Sequence, residues 1–335
     1  MLRDSLPTLI RLLAPAACLV LSGCYYSHLA AGQLEMNRQR EPIEQVLARE
    51  DLDAALRGKL EYAVRARDFA MSELGLPDNG SYRSYADLGR RYATWNLFVA
   101  PEFSVQPRHW CFPVAGCVSY RGYFDEARAE RAAARHAQQG LDVYVGPSIA
   151  YSTLGHLKDP VLNTMFAYGE VELAAFIFHE LAHQAVYAPS DSDFNEAFAT
   201  VVETEGLRRW LAADRAPDLD RFLAARQRQQ AAAEQMVASR ARLAAIYARE
   251  APDEQKRADK AAELARLRES LAAAGLPPNG DLNNARLTAV ATYQRCVPAL
   301  TAELARLDND LPAFYSAMKR LERDTAARLK LCPRS

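Results

Sequence analysis

The chain lacks an excess of charge of either sign. Its 335 residues hold 41 Lys and Arg against 42 Asp and Glu, a formal net charge of −1, whereas a nucleic-acid binder carries a clear basic surplus. It also lacks a comfortable membrane span. The apolar run near its start, Leu12 to Leu21, is short and broken by Pro15, well below the roughly 20 apolar residues that a spanning helix needs. Cysteine is scarce, six in all, with no C-x-x-C pair, which argues against a zinc-thiolate site. There is no low-complexity tract. Apolar residues are plentiful, at 50%, and the length suffices for one large domain or two modest ones.

The first residues read as an export signal rather than as fold. Arg3 and Arg11 precede the short apolar run, and small residues follow it. The closing Leu21-Ser22-Gly23-Cys24 resembles the bacterial lipobox, whose cysteine takes lipid and becomes the new N-terminus. Residues 1–23 are therefore expected to be a signal peptide and Cys24 a lipidation site. The mature chain would be an exported lipoprotein, held at the outer membrane by its lipid and facing the periplasm. In that oxidising compartment the four remaining cysteines, Cys111, Cys117, Cys296 and Cys332, suggest disulfides. Four cysteines allow three pairings. Cys111–Cys117 would close a short loop, and Cys296–Cys332 would tie C-terminal helices together.

Along the mature chain, residues 24–40 form an anchor-proximal segment with a helical pattern. Helical spacing runs from Pro42 to Leu76, and "LPDNG" (76–80) stops it. "YATWNLFVAPEF" and "CVSYRGYF" are rich in strand-favouring residues between turns. An alanine-rich helix spans 125–140, and "LDVYVGPSIAYST" (141–153) is strand-like. Helical patterns follow over 159–188 and 191–210. From Asp218 to Gly275 a break at "EAPDE" (250–254) makes a helical hairpin, and two further helices cover 285–305 and 311–331. The expected fold is mainly α with a small antiparallel β-sheet, an α+β arrangement. The catalytic core would cover 41–217, the hairpin 218–275, and C-terminal helices packing on the core 276–335.

Within the most apolar helix, His179-Glu180-Leu181-Ala182-His183 matches H-E-x-x-H. Residues four apart on a helix lie about 40° apart on one face and ~6 Å along the axis, so both imidazoles can reach one ion. Glu180 projects beside them, where it can take a proton from a metal-bound water as that water attacks a carbonyl. Two histidines and a carboxylate in so apolar a helix are costly unless paired or metal-bound. Chance alone gives the pattern in roughly one chain of this length in a hundred, from average residue usage. A third ligand must therefore be sought. Glu196, in "DSDFNEAFATVVETEG" (191–206), supplies it, and Glu203, on nearly the same helical face, is the alternative ligand or a partner for a histidine. Glu196 has a competing role as the third residue of a capping box begun by Asp193.

"HELAH" followed by "NEAFA" resembles the gluzincin arrangement of thermolysin-like and neutral zinc aminopeptidases, in which the glutamate of the second helix is the third ligand. Two departures stand out: the connection between the helices is shorter than usual, and there is no G-A-M-E-N motif. The chain more specifically resembles a bacterial family of predicted zinc aminopeptidase lipoproteins. "CYYSHLAAGQLEM", "WCFPVAGCVSYRGYF", "AYSTLGHLKDPVLNTM", "IFHELAHQ", "FNEAFAT" and "LNNARL" carry that resemblance. It implies a zincin-like metallopeptidase with one zinc ion on His179, His183 and Glu196, Glu180 as general base and a peptide as substrate.

A donor for the developing oxyanion is also needed. Tyr151 is the first candidate, because zincins bind substrate along a strand before the motif helix; His156, Tyr123 and Tyr187 are the others. An aminopeptidase would use a further acid for the free amine, with Glu170, Glu172 and Glu203 available. His28, His109 and His136 build no second metal site. Two other readings stay open: a non-catalytic binding or assembly module, with the helical hairpin meeting a protein partner, and an amidase acting on peptidoglycan peptides.

Overall fold

The structure is a computed structural model, and it describes residues 25–112, 116–153, 157–211, 215–291 and 296–332. Cys24, the signal segment and His156 lie outside the described residues. Helix α1 (25–38) leads into strand β1 (Arg40–Pro42) and then into α2 (Ile43–Leu47) and α3 (Ala54–Ser72). The continuous helical pattern is interrupted because the Asp53 side chain accepts from the Leu56 N–H and starts α3 afresh.

Short strands follow: β2 (Ser84–Ala86), β3 (Thr94–Ala100), β4 (Trp110–Phe112), β5 (Gly116–Val118) and β6 (Arg121–Tyr123). Helix α4 (Glu126–Ala137), β7 (Asp142–Ser148) and β8 (Val161–Leu162) complete this part. The strands are shared among three small sheets, ordered β1-β2-β8, β6-β3-β7 and β4-β5. All pairings are antiparallel except β2 with β8. Strand β3 is central to its sheet, and β7 lies at the edge, paired from Thr94↔Ser148 to Ala100↔Asp142.

The helical pattern over 159–188 resolves into β8, a 3-10 turn (Asn163–Tyr168) and α5 (Glu170–Ala185). Gly169, with φ 109°, reorients the chain between turn and helix. Helix α6 (Ser192–Trp210) packs antiparallel to α5 after a short turn, and α7 (Ala216–Tyr247) with α8 (Asp253–Ala273) forms the hairpin. The last two expected helices are each divided, into α9 (Asn284–Ala291) and α10 (Val297–Arg306), then α11 (Leu311–Arg323) and α12 (Thr325–Leu331). Pro298 near the start of α10 cannot continue a preceding helix. The Asp324 side chain caps α12 by accepting from the Ala327 N–H. The molecule is therefore mainly helical with small sheets. Among the described residues no helix is long and apolar enough to cross a membrane.

The main core gathers around α5 and α6. Leu173, Ile177, Phe178 and Leu181 of α5 meet Phe194, Phe198, Val202 and Leu207 of α6, all buried. Gly206 lets the pair approach closely: a Cβ there would lie 2.7 Å from Leu74 Cδ1 and 2.8 Å from Phe178 Cδ2. Phe178, Phe69 and Trp210 form a ring cluster, and the Trp210 indole donates to the Tyr62 hydroxyl at 2.8 Å.

Candidate active site

The turn between α5 and α6 sets how the two helices face each other. Asn195, buried at the start of α6, grips the Ala188 backbone from both sides. Its amide donates to the Ala188 carbonyl at 2.9 Å and its own carbonyl accepts from the Ala188 N–H at 2.8 Å. The N-cap of α6 is Asp191, which accepts from the Phe194 N–H and pairs with the buried Arg328 at 2.7 Å. The cap anticipated at Asp193 thus falls two residues earlier, and the Glu196 carboxylate is turned toward the histidines. The β4-β5 hairpin abuts the same turn. Gly116 sits at φ 72° where a Cβ would lie 2.5 Å from Ser190 Oγ. Within that hairpin Cys111 is bonded to Cys117, and farther along the chain Cys296 is bonded to Cys332.

His179, His183 and Glu196 present one donor atom each, all within 4.8 Å of one another, so this triad can hold a metal ion. His179 Nε2 lies 3.4 Å from Glu196 Oε2, and His183 Nε2 lies 3.7 Å from Glu196 Oε1. Two ligands at zinc's usual distance of about 2.0–2.1 Å, arranged tetrahedrally, stand about 3.4 Å apart. The two histidine–Glu196 separations are close to that of neighbouring ligands on a small tetrahedral ion. The rings of His179 and His183 are 4.9 Å apart and nearly perpendicular, at 83°.

The surroundings orient these ligands. Glu203, two turns beyond Glu196 on α6 and almost fully buried, places Oε2 2.9 Å from His179 Nδ1. A carboxylate can only accept, so the Nδ1 proton points at Glu203 and Nε2 is left to face the triad. The second oxygen of Glu203 accepts from Arg226, on α7. Burial works against charge on His179, but its contacts with Glu196 and Glu203 outweigh this and raise its pKa to about 10. Burial pushes His183 the other way, to about 4, and its Nδ1 has no hydrogen-bond partner among the described residues. Burial also opposes ionisation of Glu196, yet contact with His179 and the charge of His183 carry its pKa below the usual carboxylate range.

Glu180 lies beside the triad in a separate network. Burial raises its carboxyl to about 7; the charge of His179 lowers it, the charge of Glu196 adds to the rise, and a hydrogen bond from Ser152 lowers it. Ser152 Oγ also lies 3.4 Å from Asp159 Oδ2. Tyr82 borders this region at φ 60°, a conformation that costs a non-glycine residue about 1–2 kcal/mol. Its phenol is held well above its ordinary pKa by burial and then by the charges of Glu180 and Asp159.

The candidate oxyanion donors separate in space. Tyr151 packs on Phe124, with ring centroids 4.8 Å apart, and the charge that acts on it is that of Asp159. Tyr123 belongs to the cluster around Tyr25 and Trp95. Tyr187 feels Glu196. Tyr120 is the residue that sequence reasoning passed over. Burial raises its pKa first, and the charges of Glu196, Tyr187 and Glu180 all act on the same phenol. It stands in "CVSYRGYF", outside any regular element, and no periodicity marks it. Tyr82, in a turn, and Arg226, on α7, come to the site through tertiary contacts that no local pattern marks.

Of the acids considered for an amine, Glu203 is engaged by His179 and Arg226. Glu172 and Glu170 lie in the first turn of α5, about 10 and 13 Å along the axis from His179, and Glu170 pairs with Arg215 at 3.3 Å. His28 accepts from the Phe124 N–H at 3.0 Å, His109 is exposed and His136 is on α4.

Residues 24–331 match the family described as "putative aminopeptidase". The chain belongs to that family. The match takes in all of the described residues but Cys332 and points to hydrolysis of peptide bonds, with a peptide as substrate. No curated protein and no solved structure matches the chain significantly.

Proposed function

We propose that this member of the family is a zinc-dependent peptidase with a gluzincin-like site, acting as an aminopeptidase. The observation that carries the reading is the donor geometry: the Glu196 oxygens stand 3.4 and 3.7 Å from the two imidazole nitrogens, the spacing of neighbouring ligands on tetrahedral zinc. His179, His183 and Glu196 would hold the ion. Once bound, zinc would supply a polarised carbonyl and a water of pKa near 7.

The chain's own residues account for the proton movements. The Glu180 carboxyl, raised to about 7 mainly by burial, exchanges protons near neutral pH, where general acid–base catalysis is most effective. As a carboxylate it accepts the water's proton and then delivers it to the leaving amine. Ser152 holds it in orientation. Tyr120 is the donor best supported for the developing oxyanion, because burial keeps its phenol protonated beside Glu180 and Glu196; Tyr151, placed against Phe124, would act through the wall behind it. The lipobox resemblance supports an address at a bacterial outer membrane, with the lipid on Cys24 and the catalytic core facing the periplasm.

The test is metal content and cleavage of amino-acid anilides by the wild type and Glu180→Gln. The variant should retain zinc and lose about 10²–10⁴-fold in kcat, the range for a general acid–base group. Undiminished cleavage by the variant would remove Glu180 as the base, and metal-free, chelator-insensitive wild type would remove the site.

A further inference from the structure

A cavity of about 450 Å³ opens on one face of the β3-β7 sheet, roofed by α7 and α9. Its walls include Asn96 and Phe98 of β3, Tyr144 of β7, Gln229 and Met236 of α7, and Arg286 of α9. Arg286 is the one charged residue in the lining, and no carboxylate faces it there. A cationic recess with walls of mixed aromatic and amide character is complementary to a carboxylate carried on a peptide.

Contacts connect this recess to the triad. Tyr120, under the charges of Glu196 and Glu180, packs on Phe98 with centroids 5.6 Å apart. Phe98 stacks on Tyr144 at 6.0 Å, and the Arg286 guanidinium lies 5.2 Å from the Tyr144 ring centre. On the opposite wall Arg226, bonded to Glu203, is one turn of α7 before Gln229. Arg286 is held but not consumed. Its Nη1 donates to the carbonyls of Asn279 and Asp281, while Nε and Nη2 have no partner among the described residues. The Tyr144 ring centre lies 5.2 Å from the guanidinium carbon, and the Nε–Nη2 edge is left as the fork that recognises carboxylates bidentately.

We infer that this recess is a substrate subsite in which Arg286 binds a carboxylate of the peptide being cleaved. The inference rests on the peptidase reading and deepens it. An extended peptide advances about 3.3 Å per residue, so each ring-to-ring step is shorter than two residues. The steps of 5.6, 6.0 and 5.2 Å from the Tyr120 ring to the Arg286 guanidinium are covered by about five residues of extended substrate at most. The carboxylate is either the C-terminus of such a short peptide or an acidic side chain at that distance. Selection falls on short peptides in the first case and on acidic positions in the second.

The experiment compares peptides of three to six residues sharing one N-terminal residue, each as free acid and as C-terminal amide, with alanine or glutamate at each downstream position. For the wild type, kcat/KM should fall about tenfold or more when the preferred carboxylate is removed, the scale of a charge-assisted contact. Loss on amidation identifies the C-terminus as the source, and rescue of the amide by glutamate identifies a side chain. In Arg286→Gln the ratio between charged and uncharged peptides should collapse to about one. A merely structural loss would lower both and preserve the ratio, which would overturn the inference. An equal rate for acid, amide and glutamate peptides in the wild type would also overturn it. Binding of the same peptides to Glu180→Gln by calorimetry reads the subsite without turnover. A preference there, with an inert wild type, would sink the peptidase reading and leave the subsite standing. No preference in either measurement would sink the subsite alone, provided that the wild type cleaves.

Discussion

The α5-α6 pair and the α7-α8 hairpin are built from different material and serve the same centre. Helix α6 buries eleven of its 19 residues, and α7 buries five of 32. The first pair is pinned by apolar surface on nearly every side. The second has a smaller apolar cluster around Leu243, Leu267 and Leu271 and is tied to the rest by charged contacts: Lys260 to Asp142, Arg257 to Glu102 and Arg226 to Glu203. Ligand placement needs the rigid kind of packing, because an error of about 1 Å at a reacting centre is costly. Enclosing a cleft needs only a wall with defined attachments. The comparison also removes the hairpin from the role of a remote appendage. It reaches the triad through Arg226 and closes one side of the cavity through Gln229 and Met236.

The largest effect expected from this division is in the first pair. Phe178 is fully buried between Trp210, Phe69 and Gly206. Phe178→Ala should lower stability by about 3–5 kcal/mol, the range for a large aromatic removed from a core. Denaturant unfolding measures this, and bound metal should fall with it, since His179 follows directly in the helix. A loss below 1 kcal/mol would mean that α5 and α6 are not packed as described.

The two regions also differ in how far the sequence discloses them. His179 and His183 could be placed on one face from helical geometry alone, and the chemistry of a missing third ligand pointed to Glu196, with Glu203 left as the alternative. Both inferences need only distances along a helix and a donor count. Asn195 was visible as the residue before Glu196, but its grip on Ala188 depends on a turn whose geometry no local pattern specifies. Tyr120, Tyr82 and Arg226 reach the site through tertiary contacts over separations that leave no periodic trace. The division of the sheet content had a similar cause: β2, β4, β5, β6 and β8 are two or three residues long, too short for an alternating pattern to announce their partners. The long helices were readable because their caps and breakers are local. Pro298 and Asp324, which divide the terminal ones, act through one missing donor and one capped turn.

The next effect is at the link between the two regions. Glu203→Gln keeps the shape but weakens the partner of His179 Nδ1 and of Arg226. Metal affinity should fall about 10–100-fold, as for other carboxylates that orient a ligating histidine, with little change in the unfolding midpoint of the metal-free protein. Competition against a coloured chelator measures the affinity. Arg226→Ala tests the hairpin's share, and its loss should be smaller than that of Glu203→Gln because His179 retains its own partner. An equal or greater loss would place the control of the metal site in α7 rather than α6.

The smallest effect is expected at the outer attachment of the hairpin. Lys260 Nζ donates to Asp142 Oδ2 at 2.7 Å and to the Glu102 carbonyl at 3.0 Å, joining α8 to the Ala100↔Asp142 end of the β3-β7 pairing. Lys260→Met keeps the apolar stem and removes the head. Asp142 retains the Asn284 N–H at 2.8 Å, so its carboxylate is not stranded, and the cost should be about 1 kcal/mol, near that of one net hydrogen bond. Because this attachment holds the roof of the cavity and not the ligands, metal affinity should stay within about twofold of the wild type by the same chelator competition, the change expected when separated sites act independently. A fall as large as that for Glu203→Gln would show that the hairpin transmits its position to His179 through its whole length. The division into a rigid ligand pair and an attached wall would then give way to a single mechanically coupled body.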